Sequence, residues 1–127
     1  MPRNPVSTDR APAAIGPYSQ AARVADTVFL SGQIALDPES GELVAGGIEA
    51  QARRAFANLE AVCAAAGGSL DDVARVGLYL TDLGEFSVVN AIMAEVFAEP
   101  YPARSTIEVS ALPRGAVFEV DAVMVLR

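Results

Sequence analysis

Apolar residues outnumber polar ones in 20–24 and again in 28–34, with the break Ala25-Asp26-Thr27 between. The β-branched residues and Phe29 favour extension and predict a β-hairpin. Alternation assigns Phe29, Ser31 and Gln33 to one face of its second strand. Upstream, residues 1–17 are rich in Pro and Ala without periodicity, and read as an irregular arm that ends at the Gly16-Pro17 turn signal. Downstream, Asp37-Pro38-Glu39-Ser40-Gly41 reads as a turn and Gly46-Gly47 closes the following loop. The period then lengthens to that of a helix over 48–66, stopped by Gly67-Gly68. Ile48, Ala52, Ala55, Leu59, Val62, Cys63 and Ala66 form its apolar stripe, with Arg53, Arg54 and Glu60 off it. Cys63 therefore belongs to the core, and no basic group stands at a helical offset to hold a thiolate.

Alternation returns over 73–80, a loop follows at 81–84, and 85–97 reads as a second helix closed by Pro100 and Pro102. Phe86, Val89, Met93, Val96 and Phe97 make its stripe. Asn90 lies four residues after Phe86, so it is expected on that stripe and partly buried, as a ligand contact or as a structural amide bonded to a loop carbonyl. Two last strands are expected over 104–111 and 116–126, joined by Leu112-Pro113-Arg114-Gly115. Arg104, Thr106 and Glu108 share one face of the first. Glu119 and Asp121 share a face of the second with Val117, Val123 and Val125. A carboxylate among valines there is either an ion-pair partner or a functional acid. The order ββαβαββ predicts an α+β fold in which two helices cover one face of a mixed sheet. No repeat or linker divides the chain, so 1–127 reads as one domain.

Composition adds a partner to this picture. Hydrophobic residues make up 52% of the chain and charged residues 20%, with a mean hydropathy of +0.33. That is more apolar than a lone small domain requires, and the second sheet face lacks a cover, which argues for a buried subunit interface. A net charge of −7 and a pI near 4.4 disfavour nucleic acid. The single Cys excludes an internal disulfide and a CxxC site, and fits a reducing compartment such as the cytoplasm. Neither a leader's apolar stretch nor a membrane-spanning run is legible.

The chain has no His, and all nine basic residues are Arg, so it has no Lys. A Lys Schiff base, a His general base, a Ser-His-Asp triad and a His-ligated metal are excluded. Arg, carboxylates, hydroxyls, backbone groups and water remain. Arg104 stands out among them, a guanidinium at the start of the alternation Ser105-Thr106-Ile107-Glu108-Val109.

Four segments in order carry a family pattern: Ala11-Pro12-Ala13-Ala14-Ile15-Gly16-Pro17-Tyr18-Ser19-Gln20, Phe29-Leu30-Ser31-Gly32-Gln33-Ile34, Val89-Asn90, and Pro102-Ala103-Arg104-Ser105-Thr106-Ile107-Glu108-Val109. With Leu112-Pro113 and Phe118-Glu119-Val120 following, the chain resembles the reactive intermediate deaminase family (RidA/YjgF) over nearly its whole length. The resemblance implies a chorismate-mutase-like fold, a homotrimer with active sites between subunits, and cofactor-free, metal-free hydrolysis of 2-imino acids or enamines to 2-oxo acids and ammonia. It implies Arg104 as the clamp on the substrate carboxylate, where a guanidinium fork makes two parallel hydrogen bonds that Lys does not. It implies Glu119 as the group that positions water, Tyr18 as a pocket wall, and Ser31 and Asn90 as substrate or loop contacts. Thr106 stands where many members carry Cys; it keeps the backbone role on the Arg104 face and removes any dependence on a thiol. Phe118 is bulkier than the aliphatic residues the pattern prefers and is expected to alter the pocket rim. A dedicated substrate of the aminomuconate type, and a non-catalytic carboxylate-binding, chaperone-like or ribonuclease role, are the alternatives. The absence of His and Lys and the acidic charge argue against RNA cleavage.

Overall fold

Strands Ala21–Val24 (β2) and Thr27–Gln33 (β3) form the expected hairpin in the structure, a computed structural model that describes residues 2–127. Ala25 takes a left-handed backbone, φ 53°, at its turn. A strand at Asn4–Val6 (β1) precedes them and pairs antiparallel with β2. The arm expected to be irregular thus supplies a further strand, and the order is βββαβαββ. Periodicity did not reveal it because three residues at a sheet edge are held by backbone hydrogen bonds, and an edge tolerates Pro5. Buried Gln20 ties this arm down: its Oε1 accepts from Thr8 N at 2.7 Å and its Nε2 donates to Pro12 O at 2.7 Å. Met1 lies outside the described residues.

Helix α1 spans Ile48–Ala65. Beyond its C-cap, Gly67 adopts φ 93°, a left-handed value that glycine takes without a Cβ penalty. Gly68 N then donates to Cys63 O at 3.0 Å, which satisfies an end carbonyl. Ala52, Ala55, Leu59, Val62 and Cys63 are buried as the stripe predicts, and Phe56 joins them, its ring edge-on to Phe97 at 6.0 Å. Gln51 and Asn58 are buried as well, which an apolar stripe does not foresee.

Strand β4 (Val73–Leu80) runs as expected, helix α2 occupies Phe86–Val96, and strands β5 and β6 occupy Ala103–Glu108 and Phe118–Val125. The last two are shorter than their sequence spans. A 3₁₀ turn at Pro113–Gly115, with Arg114 at φ 62°, redirects the chain before β6. Another 3₁₀ turn, Leu83–Glu85, leads into α2.

The six-stranded sheet has the order β1-β2-β3-β6-β4-β5 and is antiparallel except for β4 and β5, whose parallel pairing needs α2 as its crossover. α1 packs on β3 and β6, and α2 packs on α1. The core between helices and sheet includes Val28, Leu59, Leu78, Leu80, Val120 and Met124, all fully buried. The fold is therefore the expected α+β arrangement with both helices on one face. The other face stays open and exposes large apolar side chains, with Phe29 at 52%, Ile107 at 47% and Val125 at 44% exposure. A register shift between Leu30 and Gln33 corrects the expected face of β3: Phe29 is exposed and Ser31 half-buried, whereas Gln33 turns inward and is buried. Among the described residues no helix is long and apolar enough to cross a membrane.

Candidate functional site

Register settles which candidate residues share a side of the sheet. On β4, Val76 pairs with Arg104 while Tyr79 pairs with Glu119. Odd and even positions of a strand point to opposite faces, so Arg104 and Thr106 lie on the helix side and Glu119 and Asp121 on the open side. Within one chain the guanidinium and the carboxylate do not meet.

On the helix side, Arg104 sits exposed on edge strand β5. Its guanidinium carbon lies 5.1 Å from the centroid of the Phe86 ring, and Nη1 lies 3.4 Å from the Met93 sulfur. These contacts orient the fork without neutralising it, since among the described residues Arg104 forms no ion pair. It lines an open recess of about 320 Å³ together with Asn90, Met93, Ala94, Tyr101 and Pro102. Asn90 is exposed there, which corrects the expected partial burial. The buried line of α2 runs through Val89, Ile92 and Met93, so Phe86 stands at its edge and Asn90, about 100° round the helix from Val89, falls outside it. Thr106 is half-buried beside Leu78 on the same face as Arg104. A substrate carboxylate has a cation and an amide to meet in this recess.

On the open side, Glu119 is half-buried and lies over Gly32, where any side chain would collide with its carboxylate. Burial first, and the neighbouring charge of Asp121 second, push the Glu119 carboxyl above its ordinary value. Asp121 lies over Gly77 and accepts from the Tyr79 hydroxyl at 3.0 Å. Burial and then that hydrogen bond raise the Tyr79 phenol in turn. Glu119 belongs to a cavity of about 440 Å³ whose walls include Ile15, Tyr18, Gly32, Pro113 and Arg114. Its loops are fixed from α1. Asn58 Nδ2 donates to Ile34 O at 3.2 Å and Leu36 O at 2.9 Å, while Gln51 Oε1 accepts from Val117 N at 2.9 Å.

Tyr18 is 53% exposed and borders two recesses, the Glu119 cavity and a neighbouring one of about 570 Å³ that Ser31 lines. Ser31 itself is engaged: its Oγ donates to Ser19 O at 2.6 Å and its N donates to Gln20 O at 3.0 Å. It therefore pins the segment that carries Tyr18 and does not line the Glu119 cavity. Phe118 points into the core, fully buried 5.4 Å from the Phe56 ring, and not to the pocket rim as its bulk suggested. Gly32, Gln51, Asn58 and Arg114 were not singled out from the sequence. A glycine inside a strand signals a bulge or a close approach, so Gly32 carried a legible signal. The buried amides of α1 carried none. Cys63 is buried in the core and its thiol is pushed up to about 12, chiefly by burial. Among the described residues no group of three or more His, Cys, Asp or Glu side chains is placed to hold a metal ion.

The family model described as Endoribonuclease L-PSP matches residues 8–126. A 2-iminobutanoate/2-iminopropanoate deaminase of Mus musculus is 45% identical over 123 residues, covering 97% of this chain and 91% of its own. Among solved structures, RidA of an Antarctic Psychrobacter species superposes with a TM-score of 0.94 at 48% identity, covering 98% of this chain and 100% of that one. TdcF of E. coli with bound serine superposes with a TM-score of 0.90 at 37% identity, covering 98% and 99%.

Proposed function

This chain belongs to the RidA/YjgF/L-PSP family of imine and enamine deaminases, and on that premise we propose that it hydrolyses reactive 2-imino acids such as 2-iminopropanoate to 2-oxo acids and ammonia. The observation that carries this reading is the pair of half-sites: an unneutralised guanidinium in an open recess on one face, and a half-buried carboxyl of raised proton affinity in a cavity on the other. Neither suffices alone. We assign the complete site to a homotrimer in which Arg104 of one chain faces Glu119 and Tyr18 of the next, and the exposed Phe29, Ile107 and Val125 support burial of the open face against a second copy. The chain acts as one domain, and a single cysteine, Cys63, buried in the core, suits the cytoplasm.

Arg104 binds the substrate carboxylate with two charge-assisted hydrogen bonds, and Asn90 and Thr106 border it. Water held by Glu119 adds to the imine carbon, giving its proton to the carboxylate as the C=N bond pair moves to nitrogen. Glu119 returns that proton to the nitrogen, giving a neutral carbinolamine, then takes the proton of the added hydroxyl as the C=O forms and the C–N bond breaks, and passes it to the departing nitrogen, which leaves as ammonia. The sum is imine plus water to oxo acid plus ammonia, with Glu119 returned to its starting state. Its raised proton affinity suits both halves of this shuttle. The imine carbon is already electrophilic, so orientation and charge placement supply the rate and no strong nucleophile is required. Thr106 needs no thiol chemistry, and a large gain of activity in Thr106→Cys would overturn that.

The test is the rate at which purified protein converts 2-iminopropanoate, released from serine by a dehydratase, to pyruvate. Wild type should exceed the spontaneous rate, and Arg104→Ala should lose at least about a hundredfold in kcat/KM, from two lost hydrogen bonds to a charged group. Wild-type rates at the spontaneous level over several imino acids would refute the reading. Arg104→Ala at the wild-type rate would refute the clamp.

A further inference from the structure

The chemistry above leaves one cation of the Glu119 cavity without work. Arg114 lines that cavity, and among the described residues no carboxylate pairs with it. Its position is built. The backbone holds φ 62° between Pro113 and Gly115, a left-handed conformation that side-chain-bearing residues seldom adopt. One nitrogen, Nη2, donates to Gly41 O at 3.3 Å, which anchors the guanidinium and leaves its other donors free. Strain of this kind in a loop at a cavity mouth is a pointer to function.

The rest of the wall carries no other cation: apolar Ile15, Ile34, Leu36 and Pro113, the uncharged polar Tyr18 and Gln33, and Glu119 as the one carboxylate. The chain as a whole carries −7. A dianionic substrate is repelled by that field, and a second carboxylate entering beside Glu119 meets no compensating charge except Arg114. The cavity, about 440 Å³, falls inside the roughly 300–1,000 Å³ range of small-ligand sites.

We propose that Arg114 makes this enzyme select 2-imino acids with a second, distal carboxylate, the class that arises from acidic amino acids. The proposal rests on the deaminase reading. The α-carboxylate occupies Arg104 of the neighbouring chain, the imine carbon lies at Glu119, and the distal carboxylate reaches the Arg114 fork on the far wall. Arg114 is then a specificity residue and takes no part in proton transfer.

The experiment compares imines that differ only in distal charge, generated in situ by amino-acid oxidases from glutamate and from its neutral isostere glutamine, with the alanine-derived imine as reference. The readout is the ratio of kcat/KM for the glutamate-derived imine to that for the glutamine-derived one. Arg114→Asn removes the cation yet accepts a left-handed backbone, and Arg114→Lys keeps a point charge. Wild type should favour the glutamate-derived imine. Arg114→Asn should lower the ratio about tenfold or more, and Arg114→Lys should restore part of it. An unchanged ratio in Arg114→Asn, with the alanine-derived imine still turned over, overturns this inference and leaves the deaminase reading standing. A loss that Arg114→Lys does not relieve traces to loop geometry and overturns it too. Inactivity of wild type toward all three imines overturns both.

Discussion

Gly32→Ala separates catalysis from stability at one position. Gly32 is exposed and its φ is not left-handed, so the backbone accepts Ala, and the loss of a flexible residue stabilises by about 0.5 kcal/mol through the unfolded chain. The added methyl, however, overlaps the Glu119 Oε2 and comes within 2.8 Å of its Cδ and 3.3 Å of its Cγ. Ordinary carbon contacts are about 3.5–4.0 Å, so the carboxyl must retreat by about 1 Å. A displacement of that size at a proton-transferring group costs about a hundredfold in rate. The expected result is a thermal midpoint within a degree or two of wild type beside a kcat for 2-iminopropanoate lower by about two orders of magnitude, with KM little changed because Arg104 is untouched. The assay is pyruvate release after single-turnover mixing, paired with a thermal melt. A fully active Gly32→Ala would refute the claim that Glu119 acts from its place above Gly32. Equal losses of activity and of stability would mean that the collision is relieved through the sheet.

Other consequences follow from the same geometry. Glu119 is raised above 4.5 in the folded chain, so the stability tied to its protonation is fully present below 4.5 and is lost as pH climbs through the raised value. Glu119→Gln should therefore be more stable than wild type at pH 7 and lose that advantage at pH 4, as urea midpoints at the two pH values will show. Asp121→Asn removes the second cause of the shift, and the acidic limb of the kcat/KM profile should move to lower pH; an unmoved limb would exclude Asp121 from tuning Glu119. Asn58→Ala strands the carbonyls of Ile34 and Leu36 and should cost about 3 kcal/mol in urea unfolding, with less than 1 kcal/mol counting against their burial. Cys63, with its thiol near 12, should resist alkylation at pH 8 until the chain is denatured, and rapid native labelling would contradict its burial.

Much of the fold was legible because it follows from local periodicity. The hairpin, both helices and β4 rest on local residue pattern, with glycine closing α1 and proline closing α2, and the structure keeps them within a residue or two. What escaped depends on distant partners. Strand β1 exists because β2 offers it an edge, and Gln33 turns inward because of a bulge set by pairing with β6. Asn90 was expected on the stripe because it stands four residues after Phe86, and Phe86 itself lies at the margin of the buried line of α2. Among the site residues, the shared face of Arg104 and Thr106 was readable from alternation. The opposition of Arg104 and Glu119 was not, since it requires the registers of both strands on β4. Gln51 and Asn58 look in sequence like polar interruptions of an apolar helix, and only the loops they hold explain them.

On the proposed reading, that opposition of Arg104 and Glu119 across the sheet ties turnover to how many chains are together. If each working site takes its guanidinium from one chain and its carboxyl from another, specific activity becomes a function of protein concentration, and dilution silences the enzyme while every chain remains folded. Inactive Arg104→Ala and Glu119→Gln chains, mixed and allowed to exchange, would then regain activity in the assemblies where an intact half from each comes face to face.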